Sequence, residues 1–360
     1  MNEQLKTVLA LFAQPAFLAK DGTVLWCNHA ASSLMAEGTA LYRIIENEDT
    51  LYSHWNRTGS LNLSLFLGGY EYEAVVVAQD EYDLFVASKR TMEQSAEAFA
   101  FVSASVPLRK QLHSIVNAAD SLFDQLPEQY SGSKEAAQLN QTIYRLLRLC
   151  SQMADGGELI LGHREAQKQS VDLICLLTDF VSQAKPLAAS VGVELVFESC
   201  AASVPADADP ALLERALYNL LTNALTYSPN GGTVTLKAEK QGSLLLISMS
   251  DSGEGISPAI SSSLFRQYAQ RGLGDPRRGL GLGLPIVREI ARLHGGSLSI
   301  CDHPDHPGTL ATFSVSLTRS ALPLKSNAIR YDYSGEFNHG LIELSEVLGA
   351  ELYRPGEVQS

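Results

Sequence analysis

The sequence lacks the features that define several large classes of protein. No apolar run approaches bilayer-spanning length, and the segment Met1–Lys6 lacks the basic-then-apolar order of a signal peptide. The five cysteines include no C-x-x-C pair, which argues against a zinc site and a disulfide framework. Basic residues are few: 27 Lys and Arg stand against 40 Asp and Glu, and the net charge of -13 argues against binding nucleic acid. We expect a cytoplasmic protein without a transmembrane segment.

What the sequence does contain is glycine at two closely placed turns. The first follows the apolar run Leu244–Ser250, which indicates a buried strand that delivers the carboxylate of Asp251 to a pocket. Gly253 and Gly255 then leave room for a flat ring. A glycine-rich turn alone is often just a tight loop, so a second observation is needed.

The second glycine turn supplies part of that observation. Gly279, Gly281 and Gly283 precede an amphipathic helix that begins near Leu284. The free backbone N–H groups at such a helix start attract phosphate.

An upstream helix supplies the rest. Residues 209–227 read as a helix that carries Asn219 and Asn223 four residues apart, on one face. Amide oxygens suit Mg²⁺, which takes oxygen ligands and keeps several waters. The ligand suggested by all three segments is a nucleotide.

Three motifs occur in this order: Asn-Leu-Leu-Thr-Asn-Ala, Asp-Ser-Gly-Glu-Gly-Ile and Gly-Leu-Gly-Leu-Gly-Leu-Pro-Ile-Val. Their order and spacing resemble the GHKL-type ATP-binding domain of sensor histidine kinases, a fold shared with DNA gyrase and the mismatch-repair ATPases. The resemblance covers residues 170 to 318. It implies that Asp251 binds the adenine amino group, that Asn223 holds Mg²⁺ and that Asn219 lines the phosphates. ATP and Mg are therefore the expected cofactors.

Two details of this domain modify the expectation. Thr226 stands where the family usually places a Lys or Arg against the phosphates. The loop 266–278, which by position is the mobile lid, is rich in arginine in an otherwise acidic chain. It is either a solvated loop or a phosphate-neutralising one, and we favour neutralisation by Arg271, Arg277 and Arg278.

Residues 1–90 alternate short apolar strands with turns and resemble a PAS-like sensor domain. Asp21-Gly22 is its predicted hairpin turn, and Asn28-His29 starts a helix. Trp26, Cys27 and His29 suggest a haem or flavin, but strand alternation favours core and turn roles for them, and no ligand is predicted.

Residues 91–158 show heptad spacing in two stretches separated by a turn at 127–133. Such helices form a hairpin, and its apolar stripe predicts a homodimeric four-helix bundle. The stripe comprises Leu108, Leu112, Ile115, Ala119, Leu122 and Leu126 in the first helix and Leu139, Ile143, Leu146, Cys150 and Met153 in the second.

The hairpin resembles the phosphoacceptor domain of histidine kinases, but its acceptor motif is degenerate. Val106 occupies the place of the phosphorylated histidine, Pro107 that of its acidic neighbour, and Lys110 that of the Thr or Asn used in phosphatase chemistry. His113, one heptad further, is an alternative acceptor or an ordinary polar residue. Pro107 also predicts a kink or a helix start near Ser105.

The predicted fold class is α+β. A PAS-like sensor (1–90) and a hairpin (91–158) precede a two-layer ATP-binding sandwich (165–318) and a tail (319–360), with a hinge at Asp155–Gly157 and 162–170. Helix is predicted over Val171–Lys185 and near the end of the tail.

Three functions follow from these expectations. The first is a histidine kinase that uses His113 or a partner's hairpin. The second is a pseudokinase that binds ATP and regulates a partner histidine kinase or response regulator. The third, an ATPase outside signalling, is disfavoured by the hairpin.

Overall fold

A computed structural model describes residues 3–45, 52, 55, 57, 59–79, 81–89, 92–125, 127, 133–255, 282–318 and 338–355 of the 360-residue chain. The fold is mixed α/β. Among the helices in these ranges, none combines the length and the hydropathy that a bilayer-spanning segment requires.

The first part of the chain forms an antiparallel five-stranded sheet in the order β2-β1-β5-β4-β3. Most residues of β1, β3 and β5 are buried, and Phe17 stacks on Phe85 at 4.6 Å between ring centroids. The elements are α1 (Glu3–Ala10), β1 (Ala16–Lys20), β2 (Thr23–Cys27), α2 (His29–Ser32), β3 (Ser60–Leu67), β4 (Tyr70–Gln79) and β5 (Tyr82–Lys89).

The turn and the helix start predicted in this region are both present. Asp21 and Gly22 adopt positive φ angles of 49° and 75°, as a two-residue hairpin turn requires, and they connect β1 to β2. Asn28 caps α2 by accepting the N–H of Ala31, while its own amide donates to the carbonyl of Gln14. Buried Asn28 therefore ties the helix start to the loop that precedes β1.

Two long helices follow, α3 (Met92–Gln125) and α4 (Lys134–Leu161). They pack through a buried cluster that includes Val116, Phe123 and Ile143. The predicted apolar stripe splits in two, because Leu112 and Ala119 are buried in this chain while five of its leucines and isoleucines remain about half exposed. These five are Leu108, Ile115, Leu122, Leu139 and Leu146.

Two local alternatives predicted for the hairpin are contradicted. Of the kink or helix start predicted near Ser105, the helix start is absent, since α3 continues through Pro107 and Ser105 Oγ donates to the carbonyl of Val102 at 2.8 Å. The hinge expected at Asp155–Gly157 is helical and belongs to α4. Gly156 lies against Ile286, where a Cβ atom would come within 3.2 Å of that side chain, so close packing explains the helical glycine.

The remainder is a sheet covered on one side by helices. Its elements are β6 (Gln169–Asp172), α5 (Leu173–Ser190), β7 (Glu194–Ser199), β8 (Pro205–Ala208), α6 (Pro210–Tyr227), β9 (Thr233–Gln241), β10 (Leu244–Ser250), α7 (Gly283–Leu293), β11 (Leu298–Asp302) and β12 (Thr309–Ser316). The helix predicted from Val171 starts two residues later, because Val171 and Asp172 pair with β8 and Asp172 caps α5. One large core joins α5, α6 and α7 to the sheet.

The two sheets are continuous. Strand β3 pairs with β11 through Ser60–Asn62 and Leu298–Ile300, which gives a ten-stranded sheet in the order β2-β1-β5-β4-β3-β11-β12-β10-β9-β7. Gly59 has a φ of 65°, and a Cβ atom there would overlap the backbone of Ile300. The close approach of the two edges therefore needs glycine at this position.

The last described segment folds back onto the helices. It contains α8 (His339–Glu343) and a 3-10 turn at Ala350–Tyr353. Tyr353 is completely buried, and its ring meets that of Tyr144 edge-on at 5.1 Å. Helix is predicted over Gly340–Gly349, but α8 ends at Glu343, and the segment contacts α4.

Candidate functional site

Helix α6 positions the two asparagines. Asp209 caps its start by accepting the N–H of Leu212, and Pro210 occupies the first turn, where a missing N–H has little consequence. Asn219 is 2% exposed; its amide nitrogen donates to the carbonyl of Arg215 at 2.9 Å. Asn223 is partly exposed, and in the described part of the chain its amide has no recorded partner.

Asp251 lies at the end of β10, as predicted. It is 5% exposed, and its Oδ1 accepts the N–H groups of Gly253 at 2.9 Å and Thr309 at 3.0 Å. Its own N–H donates to the carbonyl of Thr309 at 3.0 Å. The recorded bonds of the carboxylate thus all use Oδ1, so within the described residues Oδ2 remains for a ligand.

The glycines of the first turn occupy crowded positions. A Cβ atom on Gly253 would lie 2.9 Å from Asp251 Oδ1, and one on Gly255, whose φ is 78°, would lie 2.8 Å from Asp302 Oδ1. Side chains here would displace the loop that holds Asp251.

The start of α7 meets the asparagine helix. A Cβ atom on Gly283 would lie 3.1 Å from Asn219 Oδ1, so the second glycine turn and the first asparagine are neighbours. The N-cap Leu282 provides no side-chain acceptor for the first N–H groups of the helix, which include those of Gly283 and Leu284. Unbonded N–H groups at a helix start bind anions.

A buried histidine fixes the two helices against each other. His294 Nε2 accepts the N–H of Asp209, and His294 Nδ1 lies 2.7 Å from the carbonyl of Ile290, to which it can only donate. Burial lowers the pKa of His294 to about 4, so the ring is neutral near pH 7. The end of α7 is thereby tied to the start of α6.

Five of the predicted site residues lie outside the described part of the chain: Gly279, Gly281, Arg271, Arg277 and Arg278. Thr226 is described: it is exposed, and its hydroxyl donates to the carbonyl of Thr222 at 2.6 Å.

Some residues at the site were not predicted from the sequence. Thr309, at the start of β12, holds Asp251 through its N–H. Gly308, in the turn before it, has a φ of 140°, and a Cβ atom there would overlap the backbone of Asp251. In the same turn, the rings of His303 and His306 stack at 3.6 Å, and partial burial followed by the charge of His306 lowers the pKa of His303. Only the isolated Pro-Gly pair at 307–308 signalled a turn here.

The hairpin also reaches the site. Gln152 of α4 donates from Nε2 to Asn219 Oδ1 at 3.4 Å, and Asp155 forms an ion pair with the buried guanidinium of Arg215. Gln152 lies in a helix with no motif of its own, so no sequence signal pointed to it.

The residues predicted to form the degenerate acceptor motif lie on the surface of α3. Val106 is 66% exposed. His113 is exposed too, and its Nδ1 lies 2.7 Å from the carbonyl of Arg109. No hydrogen bond joins either residue to the asparagines or Asp251 in the described ranges.

The family described as "Histidine kinase-, DNA gyrase B-, and HSP90-like ATPase" matches residues 208–319, which contain both asparagines, Asp251 and Gly283. The chain is 30% identical over 241 residues to the alginate biosynthesis sensor protein KinB of Pseudomonas aeruginosa, covering 66% of this chain and 39% of KinB. It is 31% identical over 222 residues to the histidine protein kinase DivJ of Caulobacter vibrioides, covering 60% and 36%.

Full-length ShkA, solved in complex with AMPPNP, has a similar fold: the TM-score is 0.51 at 23% identity, covering 61% of this chain and 46% of ShkA. This chain therefore spans less than half the length of each of these three proteins. Residues 208–319 are a histidine kinase-, DNA gyrase B- and HSP90-like ATPase domain, and the protein is related to the sensor histidine kinases.

Proposed function

We propose that the protein binds Mg·ATP between α6, the Asp251 turn and the start of α7. The observation that carries this proposal is the arrangement of Asp251, whose Oδ1 is held by two backbone N–H groups. Its Oδ2 then accepts a hydrogen from the adenine amino group. A carboxylate oriented in this way selects adenine, because guanine presents a carbonyl at the same place.

The phosphates and the metal occupy the other side of the site. Gly283 and Leu284 present N–H groups beside Asn219, which suits a phosphate. Asn223 fits Mg²⁺, because its amide is partly exposed and has no hydrogen-bond partner among the described residues. An ion held there would neutralise phosphate charge, and Arg271, Arg277 and Arg278 are proposed to share that role.

Calorimetry with Mg·ATP tests the site directly. We expect Asp251→Asn to weaken ATP binding at least about tenfold, since the variant replaces an ionic acceptor by a neutral amide. Asp305→Asn is the matched control, because Asp305 is in the adjacent turn and makes no recorded side-chain bond to Asp251. No heat from the wild-type protein, or equal affinity in Asp251→Asn, would contradict the proposal.

The reaction proposed is phosphoryl transfer from ATP to a histidine. Val106 offers only carbon atoms at the expected acceptor position and is well exposed there. His113 Nδ1 donates to the carbonyl of Arg109, which leaves the lone pair on Nε2. That nitrogen attacks the γ-phosphorus, the bond between γ-phosphorus and the bridging oxygen breaks, and ADP leaves. A histidine on a partner's hairpin is the other possible acceptor.

Labelling with γ-labelled ATP distinguishes these acceptors. Acid-labile label that disappears in His113→Ala, but not in His163→Ala, identifies His113; His163 is an exposed control residue. Label found only on an added partner kinase or response regulator identifies transfer in trans. Nucleotide binding without any label supports the alternative function, a pseudokinase that regulates such a partner.

The hairpin is proposed to form a homodimer. Leu108, Ile115 and Leu122 repeat at heptad spacing and are 47%, 50% and 53% exposed, so one chain leaves this stripe uncovered. Pairing two hairpins into a four-helix bundle would bury it. Sedimentation should show that Ile115→Glu dissociates the dimer while Ser114→Glu, one residue away, does not. A wild-type monomer at micromolar concentration would refute this.

The proposed domains are a PAS-like sensor (1–90), the hairpin (91–158), the ATP-binding domain (165–318) and the tail (319–360). The antiparallel sheet β1–β5 supports the first. We also propose a cytoplasmic location. Its support is that all five cysteines are free, as in reducing compartments.

A further inference from the structure

One face of α4 contacts the end of the chain through three buried polar side chains and the exposed Arg145. The residues of this face, Asn140, Gln141, Tyr144, Arg145 and Arg148, follow helical spacing. Asn140, Gln141 and Arg148 are 8%, 7% and 3% exposed. Long polar side chains are buried at such levels only where they have bonding partners. The partners here lie in residues 338–355, which we call the clamp segment.

The helix binds the backbone of the clamp segment. Asn140 Nδ2 donates to the carbonyl of Tyr353 at 3.0 Å, Gln141 Nε2 to that of Leu348 at 2.7 Å, and Arg145 Nε to that of Ser345 at 2.9 Å. The carbonyls of Ser345 and Leu348 follow α8, in turns where the chain has left regular helix. The face therefore recognises the folded shape of the segment.

Apolar groups of the same segment enter the core of the ATPase domain. Leu344 and Tyr353 are completely buried and belong to the cluster that joins α5, α6 and α7. The hydroxyl of Tyr353 donates to the carbonyl of Leu341 at 2.8 Å, which closes the segment on itself. The segment thus has one side on the hairpin and the other on the ATPase domain.

A charged contact joins the three parts. Arg148 of the hairpin lies 3.0 Å from Glu346 and 3.6 Å from Glu343 of the segment, and it donates to Thr222 Oγ1 of α6 at 3.2 Å. The single hydroxyl proton of Thr222 is shared between the carbonyl of Tyr218 at 2.9 Å and that of Glu343 at 3.2 Å. Because Thr222 lies between Asn219 and Asn223 in sequence, the segment contacts the helix that carries the proposed metal and phosphate ligands.

We propose that this face of α4 is a peptide-binding site whose ligand is the chain's own clamp segment, and that its occupancy holds the ATPase domain against the hairpin. Without the segment, the recorded polar contacts that remain between α4 and α6 are those of Gln152 with Asn219, Asp155 with Arg215, Arg148 with Thr222 and Arg215 with Ser151. The segment adds contacts to both bodies at once, so its release frees the ATPase domain to move along the hairpin.

The test uses the full chain with a specific protease site inserted between Lys325 and Ser326, and no nucleotide, so that its outcome is independent of ATP binding. After cleavage, the carboxy-terminal fragment should remain bound to the body through gel filtration at micromolar concentration. Gln141→Ala should increase the fraction of released fragment at least about fivefold, and Thr142→Ala, on the exposed side of α4, should leave it unchanged. Free dissociation of the fragment from the unsubstituted protein, or equal retention in the two variants, would overturn the proposal.

Hydrogen exchange provides the second readout. In the protein from which the fragment has been removed, amide exchange in 140–148 and 219–223 should accelerate at least about tenfold, while exchange in β4 and β5 stays unchanged. Unchanged exchange in α4 and α6 would show that the segment does not hold the two domains together. Acceleration throughout the chain would show a general structural role, and would equally reject a clamp.

Discussion

The ATPase domain has two junctions with the rest of the chain, and they are built from different chemistry. At the junction with the proposed sensor sheet β1–β5, which we call the sensor junction, β3 and β11 pair through backbone groups. Leu244 and Leu246 of β10 are buried in the core of that sheet, and the ion pairs that cross the junction are partly exposed. At the clamp junction, buried side chains of α4 contact the clamp segment and α6. Backbone pairing tolerates many side chains but requires close approach, whereas a buried polar contact depends on each group in it.

Helix α7 contributes to both junctions. Its Arg288 and Arg292 form ion pairs with Glu73 and Glu71 of β4, at 3.2 and 3.7 Å. Its Ile286 lies under Gly156 of α4. Helix α7, which starts at the second glycine turn, therefore contacts β4 through its arginines and α4 through Ile286.

The largest effect is expected from Arg148→Met at the clamp junction. The substitution leaves the carboxylate of Glu343, which is 2% exposed, without its buried partner. We expect a loss of about 3–5 kcal/mol in the free energy of unfolding, measured by urea denaturation.

Glu346→Gln serves as its control, because Glu346 is 47% exposed and should contribute less than about 1 kcal/mol. The double variant Arg148→Met/Glu343→Gln should regain part of the loss, since it removes the unpaired charge. No recovery would show that packing, and not charge, dominates this junction.

Lowering the pH is expected to loosen α7, which belongs to both junctions. Because burial holds the pKa of His294 at about 4, below the ordinary value of 6.5, the unfolded chain binds the proton more readily than the folded one. The stabilisation is complete above pH 6.5 and is lost as the pH falls toward 4. The loss amounts to roughly 3 kcal/mol, at about 1.4 kcal/mol per pKa unit.

The measurement compares urea denaturation of the wild-type protein and His294→Gln across this range. Carboxylates titrate in both proteins, so the difference between the two slopes reports His294. Parallel slopes would mean that His294 is not responsible.

A smaller effect is expected from Gly59→Ala at the sensor junction. The added methyl group meets the backbone of Ile300 and occupies a left-handed conformation, so we expect a loss of about 1–3 kcal/mol. Gly69→Ala is the matched control, since its φ is 83° but nothing lies within 4 Å of the added atom. Hydrogen exchange at Ser60–Asn62 should accelerate only in Gly59→Ala. Acceleration in both variants would mean that the positive φ angle, and not the contact with Ile300, causes the loss.

The smallest effect is expected from the ion pairs of the sensor junction. Arg288 and Glu73 are 18% and 19% exposed in their side chains, and a pair of this kind contributes about 1 kcal/mol or less. A double-mutant cycle with Arg288→Gln and Glu73→Gln should give a coupling energy that shrinks at 1 M salt, as screening predicts. A coupling that is insensitive to salt would make this junction resemble the clamp junction.

The sequence predicts well those features that depend on neighbouring residues. The turn at Asp21-Gly22, strand β10 and the place of Asp251 follow from local patterns, because a two-residue turn or a buried strand leaves a short signature. Each of these features lies within a single strand or turn.

Features that depend on distant residues were not predicted. Glycine has a low helix propensity, yet Gly156 is helical here, because Ile286 packs closely beside it. Pro107 lies within α3, although it removes a donor from the helix. Gln152, Thr309 and the pairing of β3 with β11 depend on residues far away in the chain, and periodicity does not report such contacts.

The pairing of β3 with β11 has a consequence for how the two sheets can move relative to each other. If β1–β5 separate from the ATPase sheet, two rows of unpaired N–H and C=O groups become exposed together, one on each body. Unpaired strand edges form backbone hydrogen bonds with strands of other chains. A protein that separates here is prone to join edge to edge with its own copies, so prolonged opening at this seam carries a risk of aggregation that opening at a helical contact does not.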